Sequence, residues 1–205
     1  AAEFVGLGNF IRAFRMYEFT PSLEFTFVFG VLATALEFFL GLGLALLANR
    51  EIKGLTIIKS ILLMPLMATP VVAGYIWKVI ARPHIGLFSY VFQLLDVKEI
   101  LLLNTSEGAR AFVILIDVWQ NTPFVFLILL SGLMALPKEP YEAAQLDGAS
   151  RWKIFVEITL PLLKPLILIA LVFRALTVFG TYDVIYVLHK VGLALPPTLS
   201  HTTYM

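Results

Sequence analysis

The sequence predicts an all-α protein, a polytopic bundle of transmembrane helices, and three observations carry that prediction. Hydrophobic residues fill 60% of the 205 positions and charged residues 14%, with a mean hydropathy of +0.90. Soluble domains sit near roughly 45–50% apolar and about 25% charged. Four apolar stretches, residues 25–48, 61–81, 111–136 and 160–188, each reach the length of about 20 residues that a spanning helix needs. The polar sequence left between them is too short to cover four buried helices of a water-soluble core. Lipid is the solvent these stretches fit.

In chain order, residues 1–20 interleave Phe4, Val5, Leu7, Phe10, Ile11 and Phe14 with Arg12 and Arg15, the pattern of a helix lying at a membrane surface. In the first stretch Gly41 and Gly43, with Ala33, Ala35 and Ala45 nearby, permit close helix contact. The second carries Pro65 and Pro70; proline removes a backbone hydrogen bond and kinks a helix, which membrane helices tolerate. Between the second and third stretches, residues 85–95 are apolar on one side but too short to span, and read as a second interfacial helix. The chain opens Ala-Ala-Glu-Phe, with no Met and no basic segment leading into an apolar core. The expectation is one transmembrane domain over 1–205, cropped at both ends.

Orientation follows from Lys and Arg near the span ends. The segments 49–60 and 137–164 hold Arg50, Lys53, Lys59, Lys138, Arg151, Lys153 and Lys164. Longer stretches elsewhere outside the spans hold Arg12, Arg15, Arg82, Lys98, Arg110 and Lys190. The bias places the first two segments in the cytoplasm and both chain ends outside; one further span at each end would make six. A net charge of +1, with no basic run, points away from nucleic acid. Cysteine is absent, which excludes disulfides, thiolate nucleophiles and Cys-based metal sites.

Charge inside a span costs about 2.5–3.5 kcal/mol per group on insertion scales, so Glu37, Asp117 and Arg174 each need a reason. Asp117, Gln120, Asn121 and Phe124 fall at i, i+3, i+4 and i+7, one helical face of the third stretch. On the fourth, Arg174, Thr177, Val178, Thr181 and Tyr182 share a face by the same spacing. These stripes fit either the walls of an aqueous solute path or inter-helix bonding, including an Asp117–Arg174 ion pair. Glu37 reads as structural.

The third and fourth stretches are joined by residues 137–161, too polar for lipid, which read as two short amphipathic helices hinged at Gly148. Pro137 and Pro140 favour a helix start, and Glu139 and Glu142 suit the positive end of its dipole. Ala143, Ala144 and Leu146 offer small and apolar contacts, and Trp152, Phe155 and Val156 give the second helix an apolar side. Gly148 suits a reversal that needs positive φ. A cytoplasmic helix–Gly–helix fits docking into a partner's groove.

Here the sequence resembles a known family. Glu142-Ala143-Ala144, three residues, Gly148, nine residues, then Ile158-x-Leu160-Pro161 is similar at every position to the "EAA" loop of binding-protein-dependent ABC importer permeases. Seven matches at fixed spacing would arise by chance about once in a million chains at ordinary residue frequencies. Phe4-Val-Gly-Leu-Gly-Asn-Phe10, Asp117-Val-Trp-Gln-Asn-Thr-Pro-Phe124 and Asp183-Val-Ile-Tyr-Val-Leu188 resemble the same family on its carbohydrate-uptake branch, the maltose-type and glycerol-phosphate-type permeases. The chain departs from that branch at Thr177 and Gly180, where relatives often carry Asp and Arg.

The resemblance implies a type I ABC importer permease: six spans in the full subunit, about four of them in this chain. Its implied partners are a second permease subunit, two ATP-hydrolysing subunits, an extracytoplasmic solute-binding protein and membrane lipid, in the plasma membrane of a bacterium or archaeon. It implies that Glu142, Ala143, Ala144, Asp147 and Gly148 couple the subunit to the ATPase. It implies solute contacts around Asp117, Gln120, Asn121, Phe124, Arg174, Val178 and Thr181. No cofactor is expected, and ATP hydrolysis is expected in the separate subunits, because no Gly-rich phosphate cradle with Lys occurs. Two readings compete: the same class of transporter for a non-sugar solute such as glycerol phosphate or a phosphodiester, and a membrane-embedded enzyme. Against the enzyme, the sequence has no HExxH and no Gly-x-Ser-x-Gly.

Overall fold

A segment that enters lipid must satisfy every backbone polar group internally, and an α-helix does so alone. The computed structural model describes residues 6, 8–16, 19–49, 54–82, 85–94, 106–178, 181 and 184–185, and each apolar stretch within them is helical. The order is α1 (Gly8–Arg15), α2 (Phe19–Ala48), α3 (Leu55–Met67), α4 (Pro70–Ile80), α5 (Leu87–Leu94), α6 (Ser106–Ala135), α7 (Glu139–Leu146), α8 (Arg151–Ile154), a π-helical turn (Phe155–Thr159) and α9 (Leu160–Val178). Among the described residues three helices are long and apolar enough to cross a membrane: α2, α6, and the continuous run Arg151–Val178. The pair α3–α4 makes a fourth if counted as one broken span.

The long helices begin earlier than hydropathy alone placed them. At 30 residues, α2 and α6 run about 45 Å at 1.5 Å per residue, past a hydrocarbon core of about 30 Å. The first two turns of α2 hold Ser22 and Glu24 and the first turn of α6 holds Glu107, polar residues that suit the headgroup zone. The expected fourth stretch reached residue 188, but α9 ends at Val178, and most of 179–188 lies outside the described residues.

Two expectations are corrected. The second stretch is two helices rather than one kinked helix. Ala68 leaves the helical region at φ −76°, ψ 133°, Thr69 is extended, and its hydroxyl accepts the Val72 N–H at 3.4 Å while Pro70 opens α4. Extended geometry at Thr69 is what a following proline favours. The second helix of the 137–161 segment is also not separate from the span: α8 passes through the π turn directly into α9.

Contacts group the residues into two compact units, 1–33, 69–117 and 179–205 in the first and 34–68 and 118–178 in the second. In the first, Phe25, Phe29, Ala73, Phe112, Val113 and Ile116 are buried. Trp77 lies between Phe88 and the edge of Phe112, with ring centroids at 6.2 and 5.9 Å, and the Arg110 guanidinium sits over the Phe25 ring at 5.2 Å.

In the second unit Leu42, Ala45, Val125, Phe126, Leu129 and Leu163 form the core. Small residues set the helix spacing there. A Cβ on Gly41 would meet Val125 Cγ1 at 2.9 Å, and one on Gly132 would meet Leu166 Cδ1 at 2.5 Å. Gly43, expected to share this role, faces open space. Around this core Phe39, Leu47, Ile61, Leu168 and Val172 stay exposed, as lipid-facing positions should.

Candidate functional site

The 137–161 segment and the polar stripes are built differently. Eight residues make a marginal helix on their own, and α7 buries none of its residues. Local chemistry defines its ends. Pro140 stands in the first turn beside Glu139 and Glu142. At the other end the Gly148 N–H donates to the Gln145 carbonyl at 3.1 Å and the Ala149 N–H to that of Ala144 at 2.9 Å. This double bond closure is the Schellman arrangement, and it needs a left-handed residue after the cap; Gly148 supplies φ 70°. The next helix starts at once, with the Ser150 hydroxyl accepting the Lys153 N–H at 3.3 Å.

Glu142, Ala143, Asp147 and Gly148 are exposed and Ala144 is half-buried. Leu146 is 89% exposed and Trp152 72%. Large apolar side chains left this exposed in a polar segment are the pattern of an interaction site. One side-chain bond ties α7 to the following span: the Tyr141 hydroxyl donates to Thr159 Oγ1 at 3.1 Å.

Of the stripe residues, Asp117, Gln120, Arg174 and Val178 are buried, and Asn121, Phe124 and Thr181 are half-exposed. In the second unit Gln120 Nε2 donates to the Ala68 carbonyl at 2.8 Å, supplying a partner at the break between α3 and α4. Arg174 is 3% exposed and Glu37 0%. Its Nη2 donates to Glu37 Oε1 at 2.7 Å and its Nε to Glu37 Oε2, a bidentate pair joining α9 to α2. Nη1 donates to Thr177 Oγ1 at 3.1 Å. Phe124 meets Phe173 edge-on with ring centroids at 6.1 Å.

Sequence reasoning missed three partnerships: Glu37 with Arg174, Gln120 with the Ala68 carbonyl, and Tyr141 with Thr159. Only the first left a signal, two opposite charges in separate spans. A groove of about 320 Å³ between the N-terminal turns of α2 and α6 is lined by Glu24, Phe25, Glu107 and Arg110 among others, none of them a candidate named from sequence. Among the described residues no group of His, Asp and Glu is placed to hold a metal.

Comparison with known proteins bears on the whole chain. The family described as "Binding-protein-dependent transport system inner membrane component" matches residues 38–205. The trehalose/maltose transport system permease protein MalF of Thermococcus litoralis is 38% identical over 185 residues, 90% of this chain and 63% of that protein. The trehalose transport system permease protein SugA of Mycobacterium tuberculosis is 36% identical, over 90% of this chain and 59% of its own length. The sn-glycerol-3-phosphate transport system permease protein UgpA of Agrobacterium fabrum is 32% identical, over 98% and 68%. This chain thus spans about three fifths of the length of the first two relatives. The same fold occurs in a bacterial ABC transporter involved in the import of the acidic polysaccharide alginate, with a TM-score of 0.79 at 24% identity over 98% of this chain and 71% of that one.

Proposed function

The chain belongs to the binding-protein-dependent transport system inner membrane components, and from that premise we propose that it is the permease subunit of an ATP-driven importer for a sugar or oligosaccharide. The carrying observation is the 137–161 segment, a capped helix–Gly–helix with the family's spacing, in whose α7 no residue is fully buried. Its surface suits a partner that moves. The alginate importer has been solved in complex with a pentasaccharide-bound periplasmic protein, and a comparable assembly is assigned here: a second permease, two ATP-hydrolysing subunits and an extracytoplasmic binding protein. The subunit lies in the plasma membrane of a bacterium or archaeon with α7 and α8 on the cytoplasmic side, and 1–205 belongs to one permease domain.

Division of labour follows from burial. Glu142, Ala143, Ala144, Asp147 and Gly148 form the coupling surface. Arg174 and Gln120 serve packing, since both are buried and donate to partners within the second unit, Arg174 to the buried Glu37 and Gln120 to the Ala68 carbonyl. Asn121 and Phe124 are the solute contacts on α6: an amide bonds sugar hydroxyls, and an aromatic face takes the apolar side of a sugar ring. The sugar assignment draws on the trehalose and maltose relatives.

The test is ATP-dependent uptake by the full-length subunit reconstituted with its partners. Trehalose or maltose should be taken up, and Gly148→Asp should abolish uptake, because a β-carbon opposes positive φ and a carboxylate is added to the coupling surface. Wild-type uptake in Gly148→Asp refutes the coupling role; uptake of glycerol 3-phosphate alone refutes the sugar.

A further inference from the structure

An eight-residue helix with no buried residue cannot hold its own direction, yet a coupling element must transmit displacement rather than absorb it. Tyr141, half-buried in the first turn of α7, is where α7 meets the span. Its hydroxyl donates to Thr159 Oγ1 at 3.1 Å, and the buried Thr159 hydroxyl in turn reaches the Ile154 carbonyl at 3.5 Å. Thr159 closes the π turn, whose register shows in the Leu160 N–H bonding the Phe155 carbonyl five residues back. π turns are rare, carry one residue more than α geometry requires and concentrate at functional places. Removing that residue would rotate everything on its N-terminal side by about 100° and shift it by about 1.5 Å relative to the span. The hydroxyl of Tyr141 and that of Thr159 would then no longer face each other.

We propose that Tyr141 is a positioning residue for coupling: bonded to Thr159 inside the π turn, it fixes α7 to the α8–α9 span so that a push on α7 moves the span. This rests on the coupling role of the 137–161 segment. A phenol is suited to the task. Its rigid ring spans the gap with few rotatable bonds, and its single O–H sets one direction.

The experiment measures solute moved per ATP hydrolysed by the full-length subunit reconstituted with its partners. Tyr141→Phe keeps the ring and removes only the hydroxyl. It should leave assembly intact and lower the ratio about two- to tenfold, the effect of losing one neutral hydrogen bond. Thr159→Val should do the same, Thr159→Ser should restore most of the ratio, and the double change Tyr141→Phe with Thr159→Val should be no worse than either single one. An unchanged ratio in Tyr141→Phe overturns the inference, as does an additive double mutant. Loss of assembly in Tyr141→Phe also overturns it, by making the hydroxyl a folding requirement. Gly148→Asp separates the two levels. If it abolishes uptake while Tyr141→Phe is normal, only the positioning role falls; if it is normal, the coupling reading falls with it.

Discussion

The exposed 137–161 segment and the buried Glu37–Arg174 pair sit in the same compact unit and are held by opposite means. The segment owes its shape to neighbours in sequence: a proline start, a glycine stop and a serine cap within a dozen residues. The ion pair joins positions 137 residues apart and exists only because two helices pack. An exposed element can be altered residue by residue with local consequences. A buried pair is sensitive to losing one member, since the other is left as an uncompensated charge where hydration is absent.

The sharpest way to break this contrast is to remove half of the pair. Glu37→Ala should destabilise the folded subunit by about 3–5 kcal/mol, the cost of stranding a buried charge, read as a large fall in thermal stability in detergent. Glu37→Gln combined with Arg174→Gln should recover much of the loss. Equal stability of Glu37→Ala and wild type would mean that Arg174 has another sufficient partner. Next in size is Gln120→Leu, which withdraws the donor from the Ala68 carbonyl at the α3–α4 break. Leaving this part-buried acceptor unsatisfied costs at most about 1–3 kcal/mol, so the same melting experiment should show a smaller decrease, with ATPase binding unaffected.

Two milder changes sharpen the other side. Asn121→Ala should raise the half-saturating solute concentration about two- to tenfold, the worth of one hydrogen bond. A fall in stability with unchanged transport would move Asn121 to the packing group. Glu142→Ala should be mildest, weakening ATPase association by no more than about fivefold, as exposed charges do; pull-down of the ATPase subunit measures it. An effect as large as that of Gly148→Asp would show that the carboxylate, rather than the turn, carries the contact.

Legibility in the sequence followed the same division. Helix positions were readable because lipid imposes length and apolarity on every span, and the 137–161 segment because its caps are local chemistry at fixed spacing. The break at Ala68–Thr69 was only half readable. Pro65 and Pro70 signalled disruption, but a kink and a break share that signal, and the difference lies in a Gln120 amide 52 residues away. The polar stripes showed which residues share a helical face but not what the face meets, so a cavity wall and a packing seam gave the same pattern. Glu37 was placed as structural on position alone; its partner needed the packed helices. The π turn left no mark, because a single extra residue in an apolar run does not disturb hydropathy.

The central claim, that the exposed loop is the surface through which this subunit meets a cytoplasmic ATPase, can be tested directly by cross-linking from a single cysteine in a cysteine-free background; these 205 residues contain none. A single cysteine replaces Leu146, 89% exposed on α7, or Met134, exposed near the end of α6, in the full-length subunit assembled with its partners. A short thiol-to-amine cross-linker is then applied. The account predicts that Leu146→Cys joins the ATPase subunit in high yield and that Met134→Cys, on the span α6 and outside the 137–161 segment, does not. Absence of the Leu146→Cys product, with that cysteine instead reacting with an impermeant reagent from the extracytoplasmic side, would contradict it.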